Sequence, residues 1–218
     1  MAELTVISLV YSNKLDPKHA AKMQHTTGPF ESFPIENWLS TPFPANHSET
    51  VKLELEYLAG IRKNQAFVEA ADDIHAYFGS FFYDKPVNYP SQSVKRILKQ
   101  TRPIILKIKY NYNRPRPAQL SKALGIKINN GVKLDSMYTP AYPSGHSTQG
   151  ILVAHVLGDM FPEYRKELIQ MGQDISMARL VAKAHYPTDS QFGEKLGTEL
   201  FSELAVSWIM RFRHQTGH

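Results

Sequence analysis

Hydrophobic and polar positions fall into a helical rhythm over most of the chain. Between residues 48 and 82, Leu55, Leu58, Ala59 and Ile61, then Phe67, Ala70, Ala71, Ile74 and Phe78, recur at the intervals of an amphipathic helix, with Ser48 placed as a cap. The alternation Val51, Leu53, Leu55, Tyr57 leaves a strand open there. Ser91 or Ser93 can start a further helix carrying Val94, Ile97 and Leu98. Pro103 suits the first turn of a separate helix that runs to about Tyr112, where Pro115 and Pro117 stop it. A polar, glycine-containing loop is expected from about Gln119 to Tyr142. After Ser147, the run Ile151, Leu152, Val153, Ala154, Val156 and Leu157 is apolar nearly all round, which predicts a central, buried helix ending at Pro162. Glu163 to Ala184 reads as one or two helices, and His185-Tyr186-Pro187 interrupts the pattern. Thr188, Asp189 or Ser190 can cap a last helix with Phe192, Leu196, Leu200, Leu204 and Trp208 along one side. The prolines at 17, 29, 34, 42 and 44 suit an irregular segment wrapped over a domain. The pattern reads as mainly α with few convincing strands, in a single domain over 1–218 with residues 1–50 as an irregular wrapping segment and 91–210 as the helical core.

Composition narrows the chemistry. A chain of 218 residues supports one sizeable core and buries roughly 70% of its unfolded surface. It has no cysteine, which removes disulfides, thiolate metal sites and a cysteine nucleophile. The formal charge of +5 favours anionic partners, but the cations are dispersed and no block suggests nucleic-acid binding. No apolar run approaches the roughly 18 residues of a membrane span. The stretch Leu4 to Tyr11 reads poorly as a signal peptide. A soluble protein is expected, cytoplasmic by default and periplasmic as the alternative.

Three separated clusters carry candidate chemistry. In the first, Lys107 and Lys109 lead into Arg114-Pro115-Arg116-Pro117, where guanidinium forks and an ammonium can hold phosphate oxygens. In the second, Ser144-Gly145-His146 opens the buried helix, whose first amides and dipole favour an anion. His146 beside that anion can protonate a departing oxygen. In the third, Arg179 precedes His185, and Asp189 follows four residues later, within reach of the imidazole Nδ1–H, which leaves Nε2 its lone pair. Taken singly, the clusters also fit a solvated basic face, an ordinary helix cap and a structural His–Asp pair. His155, on the buried helix, reads as a core histidine with a hydrogen-bond partner.

The ordered set of Lys, six residues, Arg-Pro; Pro-Ser-Gly-His; and Arg, five residues, His, three residues, Asp resembles the type 2 phosphatidic acid phosphatase (PAP2) superfamily. Within it the chain is similar in kind to the soluble bacterial class A nonspecific acid phosphatases, with the vanadium-dependent haloperoxidases as relatives. The resemblance implies an all-α fold, the single helical domain of those enzymes, and a metal-free phosphatase for phosphate monoesters. It implies His185 as the nucleophile that becomes phosphorylated, Asp189 as its orienting group and His146 as general acid, with Lys109, Arg116, Ser144, Gly145 and Arg179 holding phosphate. The first motif also fits as Lys107 with Arg114, and on a helix Lys107 and Lys109 point roughly 200° apart. Family members often show the Arg-Pro-Arg-Pro form with the second pair in the role, which favours Lys109 and Arg116. The third motif usually begins Ser-Arg, whereas Ala178 precedes Arg179 here. No cofactor is implied, and vanadate is expected to occupy the phosphate site. The expected partner is a small phosphorylated substrate, with a homo-oligomer open. The alternatives are a vanadium haloperoxidase and a peripheral lipid-phosphate or pyrophosphate phosphatase.

Overall fold

A computed structural model describes residues 8–11, 15–24, 26 and 28–215. Residues 4–7 of the stretch Leu4 to Tyr11 and the side chain of Trp208 lie outside the described residues. The described residues form α-helices and short 3-10 turns and no strands. The helices are α1 (Pro17–Met23), α2 (Glu36–Leu39), α3 (Glu49–Gly60), α4 (Gln65–Ala70), α5 (Ile74–Phe81), α6 (Ser91–Tyr112), α7 (Pro117–Leu124), α8 (Gly145–Met160), α9 (Arg165–Val181) and α10 (Pro187–Gln215).

Helix α8 is the centre of the packing. Ile151, Leu152, Val153, Ala154, Val156 and Leu157 are all buried, and α9, α10 and α6 pack around them. Burying a side chain of this size contributes about 1.5–3 kcal/mol, so this element anchors the core. Its contact with α10 is unusually close. A Cβ on Gly193 would stand 2.6 Å from the Ser144 carbonyl oxygen, and one on Gly197 would stand 2.4 Å from that of Thr148. Only glycine allows the two backbones to touch in this way.

The segment before α3 lays Phe30 and Phe33 into the core and sets Trp38 edge-on against Phe192, with ring centroids 5.1 Å apart. Ser48 caps α3 by accepting from the Val51 N–H at 3.3 Å, and the Val51 to Tyr57 alternation lies within that helix. Asn64 and Asp73 cap α4 and α5 in the same manner. Residues 48–82 therefore form three helices, each with its own side-chain cap.

Three further boundaries differ from the sequence expectation. Pro103 lies inside α6, which is one helix of 22 residues. Thr101 Oγ1 donates to the Ile97 carbonyl, and Gln149 Nε2 donates to that of Leu98, so side chains supply bonds in the turn that the proline disturbs. Burial of Pro103, Ile104, Ile105 and Ile108 holds the helix continuous through it. Between Gln119 and Tyr142 the expected loop begins with α7, which buries Leu120 and ends at Gly125, and contains a 3-10 turn over Asp135–Tyr138. The last helix starts at Pro187, ahead of the expected caps, because proline at the first turn gives up an amide that lacks an intrahelical acceptor anyway. His155 also differs: its ring stacks on Phe201 at 5.1 Å, and its Nδ1 has no hydrogen-bond partner among the described residues.

Candidate active site

The first motif is positioned by the end of α6. Asn113 adopts the left-handed conformation, with φ of 51°, and closes the helix, so that Arg114-Pro115-Arg116 leaves it in an extended path. Lys109 is buried, and its Nζ donates to the carbonyls of Pro140 (2.6 Å) and Ala141 (3.4 Å). Lys107 lies on another face of the helix and reaches Thr26 Oγ1 at 3.4 Å.

Arg116 spends its guanidinium on the Thr139, Ser136 and Ala184 carbonyls, and its Nη1 stands 3.0 Å from His185 Nε2. Burial moves its pKa down to about 10, which leaves it charged at any working pH. Arg114 faces elsewhere. It donates to Asp189 Oδ1 at 2.5 Å, Thr188 Oγ1 at 2.9 Å and Glu54 Oε2 at 3.2 Å, with its guanidinium 3.8 Å over the Tyr186 ring.

The end of α9 delivers His185. The Lys183 N–H bonds the Leu180 carbonyl and the Ala184 N–H bonds that of Arg179, with Lys183 left-handed at φ of 58°. This is a Schellman turn with a lysine where glycine is usual. A Cβ on Gly131 would stand 1.9 Å from the Ala182 carbonyl oxygen, so the 126–134 loop presses directly on this turn.

His185 Nδ1 lies 3.2 Å from Asp189 Oδ2, an oxygen that also accepts from the Tyr186 N–H at 3.0 Å. A carboxylate accepts only, so the partners assign the proton to Nδ1 and the lone pair to Nε2. Burial, and then the Arg116 charge, hold His185 well below the usual imidazole range, with Asp189 acting in the opposite sense. The neutral ring is therefore the resting form. For Asp189, burial pushes upward, but Arg114 and His185 outweigh it and hold the carboxyl at about 2.

The second motif is split by the fold. Ser144 is fully buried as the cap of α8: its Oγ accepts from the Ser147 N–H at 3.3 Å and lies 2.8 Å from Ser147 Oγ. It does not line the cavity, whereas Gly145 and His146 do. The first amides of α8 have no intrahelical acceptor and point out of its N-terminus. The Ser144 N–H donates to the Asp189 carbonyl at 3.0 Å, which ties the starts of α8 and α10 together.

His146 Nε2 donates to the Asp72 carbonyl at 3.0 Å and stands 3.4 Å from Asp72 Oδ1. Burial lowers its pKa, Asp72 opposes that, and Arg179 adds to it. Arg179 is buried beneath the cavity wall and donates from Nη1 to Asp72 Oδ1 at 2.6 Å and from Nη2 to the Val68 carbonyl at 3.4 Å.

The resulting cavity, about 310 Å³, is lined by Lys109, Gly145, His146 and His185, with His19, Asp72 and Arg102 at its edge. The fold thus brings three distant segments to one cationic hollow. Among the described residues, no group of three or more His, Cys, Asp or Glu could hold a metal ion. Likewise, none of the described helices is long and apolar enough to cross a membrane.

Two residues here escape sequence reading. Asp72 links Arg179 to His146 from 107 and 74 positions away. Glu54 accepts from Arg114 and from the Thr188 N–H at 2.6 Å, 134 positions away. Neither lies in a recognisable motif, and a lone acid, in the turn between α4 and α5 for Asp72 and on α3 for Glu54, carries no signal of its own.

The sequence is similar to those of known acid phosphatases. The non-specific acid phosphatase of Salmonella typhimurium strain LT2 is 29% identical over 116 residues, which is 53% of this chain and 40% of that protein. That of Salmonella typhi matches to the same extent. An acid phosphatase of Zymomonas mobilis is 32% identical over 102 residues, 46% of this chain and 37% of its own length. The matches thus span about two fifths of these curated relatives. Among solved structures, a transmembrane PAP2 type phosphatidylglycerolphosphate phosphatase from Bacillus subtilis superposes with a TM-score of 0.47 at 17% identity, covering 79% of this chain and 90% of its own. The PAP2 superfamily model matches residues 91–213, more than half of the chain and all three motifs, and the chain belongs to that superfamily.

Proposed function

We propose that this protein is a phosphatase that hydrolyses phosphate monoesters through a phosphohistidine on His185, without a metal ion. The observation that carries the reading is the buried His185–Asp189 pair, with the proton assigned to Nδ1, on a histidine that lines a cavity rimmed by cations and has its Nε2 beside Arg116. The acid phosphatases among the relatives support the phosphatase part of this reading.

In the first step His185 Nε2 attacks phosphorus in line, so a P–N bond forms as the P–O bond to the leaving group breaks. His146, as the imidazolium, gives its proton to the departing oxygen. Asp189 stabilises the charge that His185 gains. In the second step water attacks the phosphohistidine, its proton passes to His146, the P–N bond breaks and phosphate leaves. Lys109 and the first amides of α8 hold the phosphoryl oxygens throughout, while Arg116, its N–H groups taken by Thr139, Ser136 and Ala184, lends its charge from beside His185, and Arg179 does so from behind Asp72. Ser144 serves as the cap that aims those amides. Vanadate, with the same tetrahedral oxyanion shape, occupies the cradle and inhibits.

Turnover of phenyl phosphate and 4-nitrophenyl phosphate, with chelator present, tests this reading. His146→Ala is expected to slow the phenyl ester on the order of 10²-fold and the nitrophenyl ester far less, because only the poorer leaving group needs the proton. Equal losses would remove His146 as the acid. Because the pKa of His146 is lowered, kcat/KM for the phenyl ester should be full at acidic pH and fall as pH rises through that lowered value.

The two lysines separate the two registers of the first motif. Lys109→Ala should lower kcat/KM on the order of 10²-fold, and Lys107→Ala should leave it near the parent value. The reverse order would transfer the phosphate contact to Lys107.

A further inference from the structure

A second and larger hollow, about 1060 Å³, opens beside the catalytic cavity and shares Asp72, Arg102, His146 and Gln149 with it. Lys22 from α1 and Lys95, Lys99 and Arg102 from α6 line it. The α6 cations follow one another at four- and three-residue spacing, so they form a stripe along one face. The helical rise places Lys99 about 4.5 Å and Lys95 about 10.5 Å along the axis from Arg102.

All four side chains are exposed, and none makes an ion pair with an acid among the described residues. Two acids share the wall, and both are already engaged. Asp72 is bound to Arg179 and His146, and Asp73 caps α5 through the Ala76 N–H at 3.0 Å. Four cations against the two carboxylates leave the concavity with a net positive lining, and the cations of the α6 stripe, none of them ion-paired, together attract an anion.

The place of this hollow says which part of a substrate it meets. His146 stands on the wall common to both cavities, and the proposed general acid must face the leaving oxygen. The group beyond that oxygen therefore enters the larger hollow. Resting on the phosphatase reading above, we propose that this hollow is a leaving-group subsite, in which Lys22, Lys95 and Lys99 with Arg102 bind a second anionic group, phosphate or carboxylate, carried by the substrate. The preferred substrate is then a compound with two anionic groups a few atoms apart, of which one phosphate is hydrolysed.

Binding of two non-hydrolysable compounds, propane-1,3-bisphosphonate and propylphosphonate, tests this without turnover. Calorimetry on the parent protein should give the bisphosphonate an affinity about tenfold or more above the monophosphonate. The triple variant Lys22→Gln, Lys95→Gln, Lys99→Gln should lose that ratio while its affinity for propylphosphonate stays unchanged. Equal affinities in the parent, or a ratio that survives in the variant, would overturn the subsite even if phenyl phosphate is turned over normally. A ratio that behaves as expected in a protein without turnover would keep the subsite and remove the phosphatase reading. Sedimentation with phosphatidic acid vesicles distinguishes the source of the second anion. Co-sedimentation of parent but not variant assigns it to a lipid surface, and its absence with the ratio intact assigns it to a soluble compound.

Discussion

His185→Ala is expected to abolish turnover, with kcat falling on the order of 10⁴-fold or more, because the covalent route has no other nitrogen at the phosphorus. The fold should survive the change. Asp189 keeps Arg114 and the Tyr186 N–H, and Arg116 Nη1 keeps the Ala184 carbonyl, so no buried charge is stranded. Single-turnover quenching with substrate labelled on phosphorus should trap an acid-labile phosphoenzyme in the parent protein and none in the variant. Substantial turnover by the variant, with an unchanged melting temperature, would remove His185 as the nucleophile.

Asp189→Asn should damage both stability and activity, since this carboxylate serves Arg114, His185 and the Tyr186 N–H at once. An amide presents one oxygen and one NH₂. If the oxygen faces His185 Nδ1–H, the NH₂ meets the Arg114 guanidinium, donor against donor. If the amide turns over, its NH₂ faces Nδ1 and drives the proton to Nε2, which removes the attacking lone pair. A loss of about 3 kcal/mol follows from weakening a buried pair, equivalent to roughly 6–12 °C in Tm, together with a fall in kcat on the order of 10³-fold. The pH dependence has a definite sign. Asp189 is held at about 2, below its unfolded value near 3.9, so its contribution is present above that range and lost as pH falls through about 2. The gap in stability between parent and variant should be constant near neutrality and close below about pH 4. A variant with parental Tm and kcat would show that the carboxylate charge is unused.

The helical class, the buried α8 and the candidate residues of the three motifs were legible because apolar periodicity and local motif spacing are properties of short windows. What the windows cannot contain was lost. Pro103 was read as a helix start, since nothing nearby signals that Gln149, 48 positions from Thr101, would supply a bond to the turn before it. Leu120 and Leu124 stand in a stretch whose polar and glycine positions read as loop, and the burial of Leu120 with Val51 and Leu55 makes α7 worth forming. At Lys107 and Lys109 helical geometry separates the two faces, yet which face meets the cavity depends on the Pro140–Ala141 carbonyls across the fold. Ser144 reads equally as phosphate donor or helix cap, and its bond to Ser147 places it in the second use here. Arg114 illustrates the same limit: an arginine in a phosphate-type motif lies behind the histidine's partner, clamped by a glutamate from α3.

The glycine contacts between α8 and α10 bear on how an anion is received. With Gly193 against Ser144 and Gly197 against Thr148, and the Ser144–Asp189 backbone bond at the rim, the amide-bearing tip of one helix and the carboxylate-bearing tip of the other cannot slide independently. Their mutual position is settled during folding, not at the moment of encounter. An incoming oxyanion then meets dipoles already aimed, and little of its attraction is diverted into arranging the protein around it.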